Sequence, residues 1–248
     1  MKNVHFLSSR RLGLACVMAT LAAVLPLQAL SQVYPAKPVK VLVGFTAGGA
    51  VDLIARSVGQ VMQASLGQPI VVENKPGAGT NIAMKALIDA PPDGYTLMLT
   101  ANSIAANPAL YKPAPFDPEK DVAPVALVGR VPVVIAANAA SPYTSVAQLI
   151  QAAKGKPNTI AYGSPGNGAT PHMAMEFFTR AAGVDLQHIP YKGGSQAITD
   201  AIGGQIPLVA VNALEVLPHV KSGKLRVIAV LSPNRSSIYP DVPTIAES

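Results

Sequence analysis

The chain has 248 residues, which is long enough for one large domain or two modest ones with a substantial hydrophobic core. Half of the residues are hydrophobic and 13% are charged, a composition that excludes a disordered chain. The formal net charge is +6, but the basic residues form no run, which argues against a nucleic-acid-binding surface.

Residues 1–31 have the features of a secretory signal peptide. Three basic residues and no acid precede an apolar run from Leu12 to Leu30, and small residues stand at the two positions that a signal peptidase reads. A retained membrane anchor is the alternative, since such a run is nearly long enough to span a bilayer. Pro26 and Gln28, near the end of the run, favour cleavage.

Cleavage would change the composition of the chain in two ways. The formal charge would fall by three, from +6 to +3, because Lys2, Arg10 and Arg11 leave with the leader. The leader also carries Cys16, the single cysteine of the sequence, so the exported protein would contain no thiol. A thiol-free chain suits an oxidising compartment. The Arg10-Arg11 pair leaves general and twin-arginine export as alternatives.

Strands and helices alternate after the leader. Short apolar runs are typical of strands, and segments with apolar residues three and four apart are typical of helices. The predicted order is strand 40–45, loop 46–50, helix 51–66, strand 69–73, loop 76–79, helix 81–90 and strand 95–100. Gly67 is well placed to end the first helix. This alternation predicts a parallel sheet with right-handed crossovers.

The same order of elements recurs in the second half of the chain. The predicted order is strand 159–163, loop 164–169, helix 170–182, strand 186–190, loop 193–194, helix 196–202 and strand 206–211. The sequence therefore predicts an α/β protein of two βαβ lobes with a ligand cleft between them.

The boundaries of the two lobes follow from this repeat. We assign residues 32–130 to lobe 1 and residues 131–232 to lobe 2, and we expect residues 233–248 to return to lobe 1. Extended apolar segments at 125–136 and 225–231 are predicted to cross between the lobes, and two such crossings would form a hinge for closing the cleft.

The loops 46–50 and 164–169 each follow a strand and precede a helix. Ligands of open α/β folds bind at this carboxyl edge of the sheet. The free N–H groups of a first helical turn carry partial positive charge and suit a carboxylate or a phosphate. Two facing loops would form an anion clamp, and its candidate ligand contacts are Phe45, Thr46, Ala47, Gly48, Gly49, Ser164, Asn167, Gly168 and Thr170.

Further candidates have structural interpretations beside the functional one. Asp52 lies in a first helical turn, where an acid caps the helix and would repel an anion unless the ligand carries an amine. His172 could contact the ligand, or it could cap or pack the second helix. Tyr162, Ser103 and Asn212 are candidates for contacts with the distal part of the ligand.

Motifs of the common enzyme classes are absent from the sequence. Neither glycine loop ends in Gly-Lys-Ser/Thr, and Gly-x-Gly-x-x-Gly is missing from the first loop. Ser164 is not part of a Gly-x-Ser-x-Gly elbow. The histidines and acids show no metal-ligand spacing, and the mature chain offers no cysteine nucleophile. The sequence therefore predicts a binding protein that is not an enzyme and uses no cofactor or metal.

Seven short motifs occur together in a fixed order. They are GFTAGGAVD at 44–52, VVENKPGAG at 71–79, PDGYTL at 92–97, GNG at 166–168, PYKG at 190–193, GKLR at 223–226 and PDVPT at 240–244. With this set the chain resembles the Bug family, the substrate-binding proteins of tripartite tricarboxylate transporters, over nearly all of residues 34–248.

The resemblance implies a type II periplasmic binding-protein fold and a small organic carboxylate as ligand. It also implies a monomeric periplasmic receptor whose partners are the membrane permease subunits of a transporter. A periplasmic carboxylate sensor that docks on a signalling partner is the alternative function, and a hydrolase or transferase is a more distant one.

The chain departs from the family pattern at three places. Thr80 stands where a third glycine is usual, and Pro207 and Ala210 replace the usual acid and aromatic residue. The chain ends at Ser248, whereas family members continue and return to complete the first lobe. We therefore expect the C-terminal segment of the family to be missing here.

Overall fold

The computed structural model describes residues 33–248, so the predicted signal peptide lies outside the described residues. Within this range, eight strands and seven α-helices build two separate sheets. We refer to each sheet with its helices as a lobe. None of the helices in residues 33–248 combines the length and the hydropathy required to cross a membrane.

The first lobe contains a three-stranded parallel sheet in the order β2-β1-β3. Its strands are β1 (Val39–Val43), β2 (Ile70–Asn74) and β3 (Thr96–Leu99). Its helices are α1 (Ala50–Leu66), α2 (Asn81–Ile88) and α3 (Ser103–Leu110). Gly67 ends α1 in the left-handed conformation, at φ 67°, as the sequence predicts. The parallel strands with helical crossovers confirm the predicted alternation.

The second lobe contains a five-stranded mixed sheet in the order β6-β5-β7-β4-β8. Its strands are β4 (Val133–Asn138), β5 (Ala161–Ser164), β6 (Gln187–Pro190), β7 (Leu208–Asn212) and β8 (Leu225–Val230). Its helices are α4 (Val146–Ala153), α5 (Thr170–Ala182), α6 (Gly194–Ile202) and α7 (Ala213–Lys221). β5 is parallel to β6 and β7, whereas β4 is antiparallel to β7 and β8.

Strand β4 is the centre of the second lobe. Its side chains alternate between two hydrophobic cores, with Ile135 and Ala137 on one face and Val134 and Ala136 on the other. A strand that is buried on both faces needs apolar residues on both, and β4 has them at every position from Val133 to Ala137. This strand is shorter than the predicted segment 125–136, because residues 124–132 form no regular structure. Pro124 and Pro132 lack the N–H group that a strand ladder requires.

Residues 233–248 lie against the second lobe, and our expectation that they return to the first lobe was wrong. The Val230 N–H donates to Pro243 O at 3.0 Å, and Val230 and Thr244 form a parallel bridge. Tyr239 is buried in the second-lobe core, and its hydroxyl donates to Ala213 O at 3.2 Å. The predicted crossing at 225–231 is β8, the edge strand of this sheet.

Candidate functional site

A cavity of about 190 Å³ lies between the two lobes. Its first-lobe lining is Gly44, Phe45, Gly77, Ala78, Gly79, Thr80 and Tyr111, and its second-lobe lining is Pro165, Gly166, Asn167, Pro190, Tyr191 and Lys192. The volume is below the roughly 300–1,000 Å³ of pockets for drug-sized ligands, so the cavity suits a small molecule.

The turn 77–80 forms the first-lobe wall with its backbone. Ala78 and Thr80 both have positive φ, at 48° and 80°, which costs about 1–3 kcal/mol each in residues other than glycine and is typical of functional sites. Gly79 is also left-handed, and a Cβ there would lie 2.6 Å from Tyr111 Oη and 3.1 Å from Asn167 O of the other lobe. The Asn107 side chain donates to Gly79 O at 2.6 Å and holds the turn. Successive backbone amides in such turns form concave sites for anions.

Lys192 is the charged residue of the cavity lining. Within residues 33–248 it takes part in none of the ion pairs, so its ammonium group has no acidic partner. The neighbouring Tyr191 hydroxyl donates to Asp200 at 2.6 Å. Burial, and then the bond to Asp200, raises the pKa of Tyr191 to about 12, so the phenol is neutral. The second-lobe wall therefore offers one uncompensated positive charge.

Asp52 fixes the first glycine loop. Its Oδ2 accepts from Gly48 N and from Arg56 Nε, both at 3.0 Å, and its Oδ1 accepts from Asn74 Nδ2 at 3.0 Å. Burial alone would raise the pKa of the Asp52 carboxyl, but the bonds from Arg56, Gly48 and Asn74 lower it below its usual range. Both oxygens are engaged within the first lobe, which agrees with the capping interpretation.

Second-lobe residues cover the start of α1. Ser195 Oγ lies 2.8 Å from Thr46 Oγ1 and donates to Ala47 O at 3.0 Å. Glu215, in the first turn of α7, places its carboxyl group against Gly49. We call these five residues the lobe seam. The terminus that we assigned to a ligand anion is thus occupied by protein groups.

The second glycine loop rests on a stack of aromatic rings. His188 stacks on His172 with ring centres 4.1 Å apart and on Tyr162 at 5.0 Å. Ser164 Oγ is 2.6 Å from His188 Nε2, and His172 Nδ1 accepts from Gly168 N at 3.2 Å.

The stack is uncharged at neutral pH. Burial, and then the neighbouring His172, lowers the pKa of His188 to about 4. Burial also lowers the pKa of His172, although Glu176 opposes the change. Ser164 is completely buried and does not line the cavity, so its contact with His188 supports the loop rather than presenting a nucleophile.

The fourteen candidate ligand contacts fall into three groups. Phe45 and Asn167 line the cavity. Ser103 is buried behind the lining, with its Oγ 3.2 Å from Thr80 Oγ1, and Asn212 donates to Glu215 at 2.9 Å. The remaining candidates lie in the two loops, the seam or the aromatic stack: Thr46, Ala47, Gly48, Gly49, Asp52, Tyr162, Ser164, Gly168, Thr170 and His172. Their contacts with a ligand stay predictions.

Several lining residues were missed by the sequence analysis. Lys192 follows β6, at the same carboxyl edge of the parallel strands as the glycine loops, so the rule that selected those loops could have found it. Tyr111 follows α3, a helix that we did not predict. Within residues 33–248, no group of three or more histidines, cysteines or acids is arranged to hold a metal ion.

Comparison with known proteins shows which family the chain matches. Residues 54–248 match the family described as the tripartite tricarboxylate transporter family receptor. Protein BugT of Bordetella pertussis is 38% identical over 216 residues, which cover 86% of this chain and 66% of that protein. The chain thus spans about two thirds of the length of this relative.

Solved structures agree with the same assignment. The periplasmic binding protein BugD is 36% identical with a TM-score of 0.82, covering 86% of this chain and 72% of that chain. The R. palustris protein Rpa4515 with adipate is 33% identical with a TM-score of 0.83 and the same coverage. These likenesses confirm the resemblance predicted from the motifs and the type II periplasmic binding-protein fold.

Proposed function

Because the chain belongs to the tripartite tricarboxylate transporter receptor family, whose members are periplasmic binding proteins, we propose that it is a receptor for a small organic carboxylate. The ligand is held in the cavity between the lobes and released unchanged. Delivery to the membrane permease of a transporter is part of the proposal, as is export by a cleaved signal peptide at residues 1–31.

The unpaired charge of Lys192 carries this proposal. It lies on the second-lobe wall of a cavity whose first-lobe wall is the backbone turn 77–80. A carboxylate between the two walls would meet an ammonium group on one side and backbone amides on the other. Both lobes would then contact one ligand, so binding would favour their closure.

A short dicarboxylate is the ligand class that we test first. Rpa4515, which has the same fold, was solved with adipate, a flexible acid with a carboxylate at each end. The cavity of about 190 Å³ has room for a few carbon atoms, and its Phe45 and Pro190 surfaces are apolar. One carboxylate would pair with Lys192, and the other would lie against the turn 77–80.

The experiment is calorimetric titration of the purified protein with adipate, with malate and with the neutral diol that has the same carbon chain as adipate. We expect the acids to bind and the diol to fail. Lys192→Gln should weaken acid binding about tenfold to a hundredfold, the value of one charge-assisted hydrogen bond. Lys156→Gln is the matched control, because Lys156 is an exposed lysine outside the cavity and outside the ion pairs of residues 33–248.

Two results would contradict the proposal. Equal binding by the Lys192→Gln and Lys156→Gln variants would remove Lys192 from the site. Recovery of a chemically altered acid from the protein, measured by mass spectrometry, would indicate an enzyme rather than a receptor.

A further inference from the structure

Glu215 is a buried carboxylic acid at the lobe seam. It lies in the first turn of α7 and is 6% exposed. One of its oxygens has a clear structural role, because Oε1 accepts from Asn212 N at 3.3 Å and from Asn212 Nδ2 at 2.9 Å. This pair of bonds caps the start of α7 within the second lobe.

The other oxygen faces the first lobe. Oε2 is buried and has no hydrogen-bond partner among the described residues. It lies 3.5 Å from the position of a Cβ on Gly49, and it would overlap a Cβ on Gly194 at the start of α6. Two glycines on opposite lobes thus leave just enough room for this oxygen. The Ala50 amide favours the charged carboxyl, although it does not complete a hydrogen bond of good geometry to Oε2.

Within residues 33–248 Glu215 takes part in none of the ion pairs, and neither Lys192, two residues before Gly194, nor Arg226 on β8 is paired with it. On α1, Arg56 pairs with Asp52 at 2.9 Å. On α6, Asp200 accepts from the Tyr191 hydroxyl. On α7, His219 and Lys221 lie in the last turn, at the opposite end from Glu215. The ionised form of Glu215 is therefore costly in the closed arrangement.

Contact between the lobes creates this environment. Gly49 and Ala50 belong to the first lobe, whereas Glu215 and Gly194 belong to the second, so separation of the lobes would return the carboxyl group to water. We propose that closure of the cleft is coupled to uptake of a proton by Glu215, so that ligand is held more tightly in acidic than in neutral medium. The effect on ligand rests on the proposed receptor function, whereas the effect on closure does not.

The direction of the pH dependence follows from burial. In the closed arrangement burial raises the pKa of Glu215, and the bonds from Asn212 and Ala50 oppose the change in part. In the open arrangement the group would have the ordinary glutamate pKa of about 4.3. The closed arrangement is therefore most favoured over the open one below that pH. This preference is lost as the pH rises through the raised pKa of Glu215.

The test compares adipate binding by the wild type and by Glu215→Gln from pH 5.5 to pH 8.0. Glutamine keeps the Oε1 acceptor for Asn212 and the volume of the side chain, but it cannot ionise. We expect the wild-type association constant to fall with rising pH, by at most about tenfold per pH unit for one proton. The variant should lack this fall and should bind more tightly than the wild type at pH 8.0. Titration of adipate itself is common to both proteins and cancels in their ratio.

Glu247→Gln is the matched control. Glu247 also caps a helix start, by accepting from Thr244 N at 2.8 Å, but it is exposed and lies outside the seam. We expect this variant to keep the wild-type pH profile. A Glu215→Gln profile that matches the wild type would overturn the proposal.

Scattering separates this proposal from the receptor function. The radius of gyration of the ligand-free wild type should decrease on acidification from pH 8.0 to pH 5.5, whereas Glu215→Gln should be compact at both pH values. If adipate binds at no pH but this difference appears, the ligand assignment fails and the coupling stands. Equal radii for the two proteins at each pH would refute the coupling whatever adipate does.

Discussion

The Asp52→Asn substitution gives the sharpest test of how the first glycine loop is held. Asp52 is 2% exposed and receives bonds from Gly48, Arg56 and Asn74. The asparagine amide keeps the shape of the carboxylate but removes its charge. Its NH2 group is a hydrogen-bond donor and would face partners that are also donors. Hydrogen bonds to a charged group contribute about 1.5–3 kcal/mol each. The Arg56 side chain is half exposed, which reduces its share.

We expect the substitution to lower the free energy of unfolding by about 3 kcal/mol, which corresponds to a fall in Tm of about 6–12 °C for a chain of this size. Differential scanning calorimetry measures it directly. The matched control is Asp89→Asn, because Asp89 forms an i,i+4 pair with Lys85 that is exposed on both sides. In that variant the free energy of unfolding should fall by about 0.5 kcal/mol or less.

The pH dependence provides a second check on Asp52. Because the pKa of Asp52 is lowered in the folded protein, its stabilisation is present above the unfolded value of about 3.9 and is lost as the pH falls below it. The gap in Tm between the wild type and Asp52→Asn should therefore shrink in strong acid. A gap no larger than that of Asp89→Asn at pH 7, or one that grows in acid, would refute this account of the loop.

Three further substitutions test other parts of the structure. Gly79→Ala should destabilise the protein and weaken ligand binding more than Gly183→Ala, since both glycines have positive φ but the Gly183 site has open space around it; equal losses in thermal melts would mean that crowding by Tyr111 is unimportant. Tyr239→Phe should cost about 1–2 kcal/mol in urea unfolding, because Ala213 O loses its buried donor; an unchanged midpoint would mean that the tail is not anchored there. Relative to His188→Asn, the wild type should lose stability as the pH falls from about 6.5, the ordinary histidine pKa, to about 4, its lowered value in the fold; parallel pH–stability curves would contradict a buried neutral ring.

Local signals in the sequence were sufficient for much of the fold. The predicted helix 170–182 matches α5 at both ends, and α1 begins one residue before the predicted helix 51–66. Both helices end at a glycine with positive φ, Gly67 and Gly183, and this type of ending depends on neighbouring residues alone. Periodicity and stop signals therefore predicted the elements that depend on local structure.

Elements that contradict local preference were missed. Helix α3 contains Pro108, and a proline within a helix argues against the helix when the sequence is considered alone. The antiparallel direction of β4 was also beyond the sequence analysis, because alternation of strands and helices indicates parallel neighbours. Tertiary packing decides these features.

The candidate site was predicted in part, and at the level of loops: residues 165–167 of the second glycine loop line the cavity, whereas loop 46–50 does not. The carboxyl-edge rule selected both glycine loops, but it does not say which polar groups face the cavity. Ser164 pairs with His188, which is distant in sequence, and Asp52 pairs with Asn74. Such long-range partners turn a polar side chain away from a cavity, and one sequence without its fold does not reveal them.

The pairing of β4 also sets the order in which the lobes are able to fold. All three strands of the first sheet lie before residue 100, so that sheet can assemble from an early part of the chain. β4 pairs with β7 and β8, and helices α4, α5 and α6 come between β4 and β7. Pairings between distant segments form slowly, because the loop between them must first close. A chain that emerges N-terminus first would therefore hold β4, which is apolar from Val133 to Ala137, without either neighbour until residues 208–230 had followed. During this unpaired interval the apolar strand β4 is exposed to aggregation, and a chaperone that covers it would protect the incomplete chain.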